Sequence, residues 1–151
     1  MKFVQGDIFD EKALSTQSQL FPYRPDLRSL RNLTPLRGYV TTVVLQMVFH
    51  LFDLDRQTIL ARRVAQLLSS SPGSMIVGRQ MGSSNARALY LQGNPHYIHN
   101  PDSWERMWSK IYPRGKMEYR TALVDLPPDL MASTKSMLGV TQFLTWSIRV
   151  L

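Results

Sequence analysis

With 151 residues, 44% of them hydrophobic, the chain is sized for a single domain over residues 1–151 with a core of ordinary size. It has no cysteine, which excludes disulfides, thiolate nucleophiles and thiol-ligated metals and points to an intracellular, cytoplasmic protein. The net charge of +7 is scattered over single and paired basic residues, with no polybasic tail and no aromatic–basic motif, so no nucleic-acid partner is expected.

The N-terminal stretch MKFVQGDIFDEKA is charged and lacks the apolar segment of a signal peptide, and no apolar run is long enough to span a bilayer. Lys2 to Gln5 reads as a short strand ending at Gly6 and Asp7. Residues 11 to 21 carry helix formers. Residues 22 to 38 hold three prolines and no period, a connector with one helical turn near Asp26 to Arg31. Val40 to Phe49 is rich in β-branched residues, a central strand covered on both faces.

The next segment predicts a helix. Asp53 or Asp55 caps it, Ile59, Leu60, Val64, Leu67 and Leu68 form its apolar stripe, and Arg62, Arg63 and Gln66 turn outward. SSSPGS ends it, and Ser74 to Gly78 is a second strand, reached by a crossover of the length a parallel βαβ unit needs. Residues 79 to 99 show no sustained period and predict a long loop, the kind that carries function on a layered scaffold. Asn100 and Pro101 then open a helix that buries Trp104, Met107, Trp108 and Ile111. Met117 to Leu126 and Thr141 to Leu151 read as a final antiparallel strand pair.

The motifs GDIFD, FHLFDLDRQ, PGSMIVGRQMGSSN and HNPDSWERMW, in this order, resemble the C-terminal part of class I S-adenosylmethionine-dependent methyltransferases of fungal meroterpenoid and polyketide pathways. The resemblance runs from about residue 2 to the end. It implies an α/β fold: a partial Rossmann-like sheet lacking the family's first two strands, mostly parallel with an antiparallel C-terminal pair, and helices on both faces. The family's strand order is 3-2-1-4-5-7-6, and its glycine-rich turn and ribose-binding acid lie upstream of GDIFD, so a truncated chain without a cofactor is expected. A remnant of the cofactor site is implied at Asp7, facing the adenine amino group, and at Ile8, beside the ring. Gln46 and Met47 replace the small residues that line the methionine end and belong to the space left for substrate. His99 with Asn100 falls in the acceptor pocket.

An edge left bare by the missing strands would be a liability. Lys2 to Gln5 sliding in beside Val40 to Phe49 is the favoured repair, with a homodimer covering exposed helix faces; pairing of two chains across the edge is the other.

For chemistry, His50 and Asp53 follow the central strand at the carboxyl end of the sheet, where open α/β sheets bind ligands. His50 is read as an acid or base, or as a packing residue. Asp53 is read as its orienting carboxylate, or as a helix cap. Arg79, at the end of the next strand, would hold a developing oxyanion. Tyr90, His96, Tyr97 and His99 would line a pocket, with an edge of Trp104 exposed to an apolar ligand. Two imidazoles without a third ligand predict no metal. These residues point to a small terpenoid or polyketide substrate and cofactor-independent proton transfer, an isomerisation or cyclisation, with His50 or His99 as acid or base. The alternatives are a methyltransferase with a remnant or partner-completed cofactor site and a non-catalytic pseudo-enzyme subunit.

Overall fold

The structure, a computed structural model, describes residues 3–17, 23–112, 115–131 and 139–151. Strand β1 (Thr42–Gln46) is followed by a 3-10 turn at Phe49–Leu51 and helix α1 (Leu54–Leu67). Strand β2 (Met75–Gly82), the hairpin β3 (Arg87–Leu91) and β4 (Asn94–Ile98), helix α2 (Pro101–Trp108), and strands β5 (Met117–Asp125) and β6 (Gln142–Val150) complete the elements.

The main sheet has the order β1-β2-β6-β5. β1 and β2 are parallel, while β6 runs against both β2 and β5. Three strands therefore share one direction and β6 alone opposes them, as expected. Taking β1, β2, β5 and β6 as the family's strands 4, 5, 6 and 7, the observed order is 4-5-7-6, the last part of the implied one.

Alternation along the strands divides the sheet into two unlike faces. Ile76, Leu144, Trp146, Ile148 and Met117 point to one side and pack against Leu60, Ala61, Val64, Trp104, Met107 and Trp108 from both helices. The aromatic centre of this core is built edge to face. Phe49 meets Trp104 at 4.9 Å and Trp146 at 5.9 Å between ring centroids, geometries that add about 0.5–1.5 kcal/mol per pair beyond burial. Gly78 makes room for it, because a Cβ there would lie 2.0 Å from the Leu45 carbonyl oxygen and 2.7 Å from the Trp146 ring.

α1 and α2 share one face of the sheet; the other face carries Thr42, Val44, Gln46, Val77, Arg79, Thr145 and Ser147. A second helical layer would have to come from elements other than α1 and α2, since both use their apolar faces in the same core.

Other expectations also shift. The strand predicted over Val40 to Phe49 is shorter and lies at the sheet edge. Phe3 to Gln5 form no strand, and the only neighbour of β1 among the described residues is β2, so the favoured repair of that edge does not occur. In α1 the capping residue is Asp53, whose carboxylate accepts the Arg56 N–H at 2.7 Å. Ile59 is exposed and Arg63 buried, the reverse of the prediction. The cause is the segment at Glu11 to Leu14, which packs on that flank: Arg63 donates to the Leu14 carbonyl and to Glu11, both at 2.6 Å. Residues 11–17 form turns rather than a helix, and residues 18–22 lie outside those described.

The predicted loop 79–99 is instead the end of β2 followed by the β3–β4 hairpin. Its two central residues, Gln92 and Gly93, have φ of 50° and 81°, the left-handed pair that matches hairpin twist. α2 opens as predicted and buries Trp104, Met107 and Trp108, with Asn100 and Ser103 forming a reciprocal capping box and Pro101 at the first helical position, but it ends at Trp108, so Ile111 lies beyond it and is half-buried.

Candidate functional site

Three segments meet at the carboxyl end of β1 and β2. The turn after β1 is tied to the hairpin by His96, whose Nδ1–H donates to the His50 carbonyl oxygen at 3.1 Å, and by the Tyr97 N–H, which donates to the Phe52 carbonyl oxygen at 2.9 Å. Gln57, wholly buried in α1, binds both sides: its Nε2 donates to the Phe52 and Tyr97 carbonyls at 2.9 and 2.8 Å. The third segment is the GDIFD turn. There Phe9 stands edge-on to Phe52 at 5.1 Å, with the Arg56 guanidinium over its ring at 5.3 Å.

His50 is 8% exposed, and its Nδ1 has no partner among the described residues. Burial, with a smaller contribution from the charge of His96, lowers its pKa to about 4. His99 is fully buried, and burial lowers its pKa to about 4 also. Both imidazoles are neutral at pH 7.

The tautomer of His99 follows from its partner. Ser103 Oγ receives the Asn100 N–H at 3.1 Å and donates its own proton to the Asn100 carbonyl at 3.1 Å. The 2.8 Å contact between His99 Nδ1 and Ser103 Oγ occupies Nδ1, and Nε2 has no partner among the described residues; when the Ser103 proton is on the Asn100 carbonyl, Nδ1–H is the donor and Nε2 carries the lone pair. His99 helps line a cleft of about 440 Å³ between α1 and α2, with Thr58, Arg62, Tyr97, Arg106 and Lys110 among its walls. Tyr97 stands edge-on to His99 at 4.8 Å.

Of the residues singled out from sequence, His50, His96, Tyr97 and His99 gather at this end of the molecule, with Asp53 and the Asp7–Ile8 turn nearby and the Trp104 ring edge-on to His99 at 5.2 Å; Arg79, Tyr90 and Gln46 lie elsewhere. Asp53 is committed to capping α1. Arg79 sits in the middle of β2, not at its end, and lies over the Phe143 ring at 4.8 Å on the helix-free face. The extension of β2 by four residues moved it away from the rim. Tyr90 is 79% exposed on the hairpin, whereas Trp104 is wholly buried in the aromatic core and shows no edge to a ligand. Gln46 lines a separate cleft of about 420 Å³ on the helix-free face with Val77, Thr145, Ser147 and Arg120. Met47, next to it, takes a left-handed φ of 55°, which ends β1.

Sequence reasoning missed Gln57, Arg56 and Gln80. Gln57 and Gln80 had a visible signal, a long amide at a position where the apolar pattern of α1 and of β2 demands burial. Gln80 is 1% exposed with neither amide atom partnered among the described residues. Among those residues no three His, Asp or Glu side chains gather to hold a metal, and no helix is long and apolar enough to cross a membrane.

The residues described do not by themselves fit S-adenosylmethionine. A nucleoside tail needs a turn of bare backbone opening a helix. Both α-helices open on their own side-chain caps, Asp53 and Asn100, and none of the positive-φ glycines (Gly38, Gly73, Gly93, Gly115, Gly139) immediately precedes either one. Asp7 already accepts the Phe9 N–H at 2.9 Å, and Ile8 packs against the core.

The strand order β1-β2-β6-β5 is that of an α/β chain resembling part of a methyltransferase sheet, and the sequence comparisons find methyltransferases. The chain is 33% identical over 96 residues to O-methyltransferase phiE of Fungal sp. (strain ATCC 74256), covering 62% of this chain and 32% of that protein. To methyltransferase ausD of Aspergillus calidoustus it is 31% identical over 98 residues, covering 64% and 35%. To methyltransferase prhM of Penicillium brasilianum it is 26% identical over 127 residues, covering 83% and 46%. The chain thus spans about a third to just under half of the length of these relatives. No family model matches. Among solved structures, an S-adenosylmethionine-dependent methyltransferase from Mesorhizobium loti superposes with a TM-score of 0.47 at 11% identity, over 75% of this chain and 62% of that one.

Proposed function

We propose that the chain acts on a small, largely apolar natural-product intermediate in the cleft between α1 and α2 and moves a proton on it without a co-substrate, an isomerisation or cyclisation. The observation that carries this reading is His99 Nε2, buried and unpartnered among the described residues, which serves as the base in the tautomer that has its proton on Nδ1. A carbon acid next to a carbonyl gives its proton to Nε2, Arg62 or Arg106 faces the enolate oxygen, and Nε2, its proton exchanged with solvent, delivers one to another carbon or oxygen of the substrate. A base of pKa about 4 is weak, so the C–H bond must already be acidified by its carbonyl. Tyr97 is the side chain that must swing to admit the substrate. His50, with its free Nδ1, is the alternative base, but it does not line this cleft.

The test is deuterium exchange: terpenoid and polyketide intermediates are incubated with the chain in heavy water, with and without S-adenosylmethionine. Exchange independent of the methyl donor, lost in His99→Asn while the fold persists, is expected. The asparagine amide can still donate to Ser103, so the cap survives while Nε2 is gone. No exchange, or turnover only with the donor, would falsify this reading.

A second reading, methyl transfer, is favoured by a specific observation: the relatives are named methyltransferases. It requires residues other than those described here to supply the cradle for the donor. Micromolar binding of S-adenosylhomocysteine in titration calorimetry would establish it in place of the first.

A further inference from the structure

The cleft that His99 lines is unevenly charged. Arg62 follows Asp55 by two helical turns on α1, and Arg106 and Lys110 lie four positions apart at the end of α2, so helical spacing brings all four to the walls of one cleft of about 440 Å³. Three cations there face one carboxylate. Among the described residues none of the three is in an ion pair, whereas Arg63 and Arg120 both are. Arg106 also borders a hollow that holds Asp102 and Glu105, and it pairs with neither.

Unpaired cations on an open surface cost little and mean little. These share their cleft with a fully buried imidazole whose Nε2 has no partner among the described residues. A buried polar atom in that state needs a partner. The cleft is of the size that takes a small molecule, and Leu54 and Met107 give it an apolar part.

We propose that the cleft takes a small molecule bearing a multiply charged oxyanion, a phosphate or diphosphate ester, held by Arg62, Arg106 and Lys110, with its apolar body toward Met107 and His99. The proposal rests on the reading above for the substrate's place and adds its charge. A single carboxylate would leave the walls net positive, whereas a phosphate ester, with a charge of about −1.5 to −2 at pH 7, balances three cations set against Asp55. Guanidinium forks match phosphate oxygens in pairs, and each has donors enough to hold a phosphate oxygen and the enolate oxygen together. The bound charge also answers the weakness of the base. An anion beside a neutral imidazole favours its protonated form, so the ligand itself strengthens Nε2 as a proton acceptor.

The test is titration calorimetry at fixed ionic strength with inorganic phosphate, pyrophosphate and acetate as probes. Phosphate or pyrophosphate should bind at least about tenfold more tightly than acetate, the tighter of the two telling a monoester site from a diphosphate site. Arg62→Gln and Arg106→Gln, both at exposed side chains, should each weaken that binding about fivefold or more with unchanged melting. Arg149→Gln, which removes the same charge from β6, should bind like the native chain. In NMR the His99 ring should titrate at higher pH in saturating phosphate than without it. Equal binding of acetate and phosphate overturns the proposal, as does equal weakening by Arg149→Gln. Phosphate binding without deuterium exchange on any intermediate would remove the reaction and leave this site standing, whereas exchange with no preference for phosphate would do the reverse.

Discussion

His96 donates from Nδ1 to the carbonyl oxygen of His50, 3.1 Å away, so one imidazole fastens the hairpin to the backbone of another. The His50 ring itself is buried beside it, and a second buried imidazole, His99, lies where the same hairpin meets α2. Neither ring can be charged without cost.

Stability should therefore fall on acidification well above the range where carboxylates titrate. With folded pKa values of about 4 against an ordinary 6.5, the unfolded chain takes up protons that the folded one refuses. Folding is then favoured less and less as pH drops from about 6.5 to about 4, by up to about 3 kcal/mol per imidazole. Urea unfolding at pH 7, 5.5 and 4.5 measures this, and His99→Asn should flatten part of the slope. A flat profile over that range would mean that the rings are not buried as described.

Gly78→Ala should be among the most damaging single changes. The added methyl has the Leu45 carbonyl on one side and the Trp146 ring on the other. Neither can retreat, since one belongs to the β1 ladder and the other to the aromatic core. A loss of about 3 kcal/mol or more is expected, or failure to fold, against about 1 kcal/mol for Gly38→Ala, where the space is open and only the positive φ of 73° is strained. Thermal melts of the two variants give the comparison.

Arg63 and Glu11 should respond unequally. The guanidinium is buried and also donates to the Leu14 carbonyl, whereas Glu11 is exposed. Arg63→Ala opens a space and leaves a buried carbonyl unpaired, costing about 2–4 kcal/mol. Glu11→Gln, at a solvent-screened carboxylate, should cost measurably less. Equal losses in chemical denaturation would show that the ion pair, not the burial, matters.

Met47 holds a left-handed backbone at the end of β1, and its N–H still donates to the Arg79 carbonyl at 2.8 Å. Met47→Gly removes a strain of about 1 kcal/mol and should leave the melting temperature unchanged or higher. Met47→Val, branched at Cβ, should lower it by several degrees. The reverse order would indicate that the methionine side chain contributes more than its backbone costs.

Both α-helices and the paired C-terminal strands could be read from the sequence because their signals are local. Asp53 and Asn100 mark helix starts by hydrogen-bonding chemistry, and Trp104, Met107 and Trp108 fall one helical turn apart. Three features are not legible, two of them because they depend on what packs or pairs from far along the chain and the third, the hairpin, because its local signals are weak. Arg63 looked exposed because Glu11 and Leu14 are some fifty positions away. The hairpin was obscured by Pro95 in β4 and by a turn whose first residue is glutamine. Arg79 was misplaced because the sequence shows where β2 begins but not how far its pairing with β6 carries it. The grouping of His50, His96, Tyr97 and His99 was legible as a cluster of residue types. Which nitrogen of His99 is free was not, since it is decided by the hydroxyl of Ser103.

The two sides of the sheet should tolerate change very unequally. Leu144, Trp146 and Ile148 of β6 are wedged among helices and rings, whereas Thr145 and Ser147 border an open cleft, so sequence drift along this strand should be confined to alternate positions.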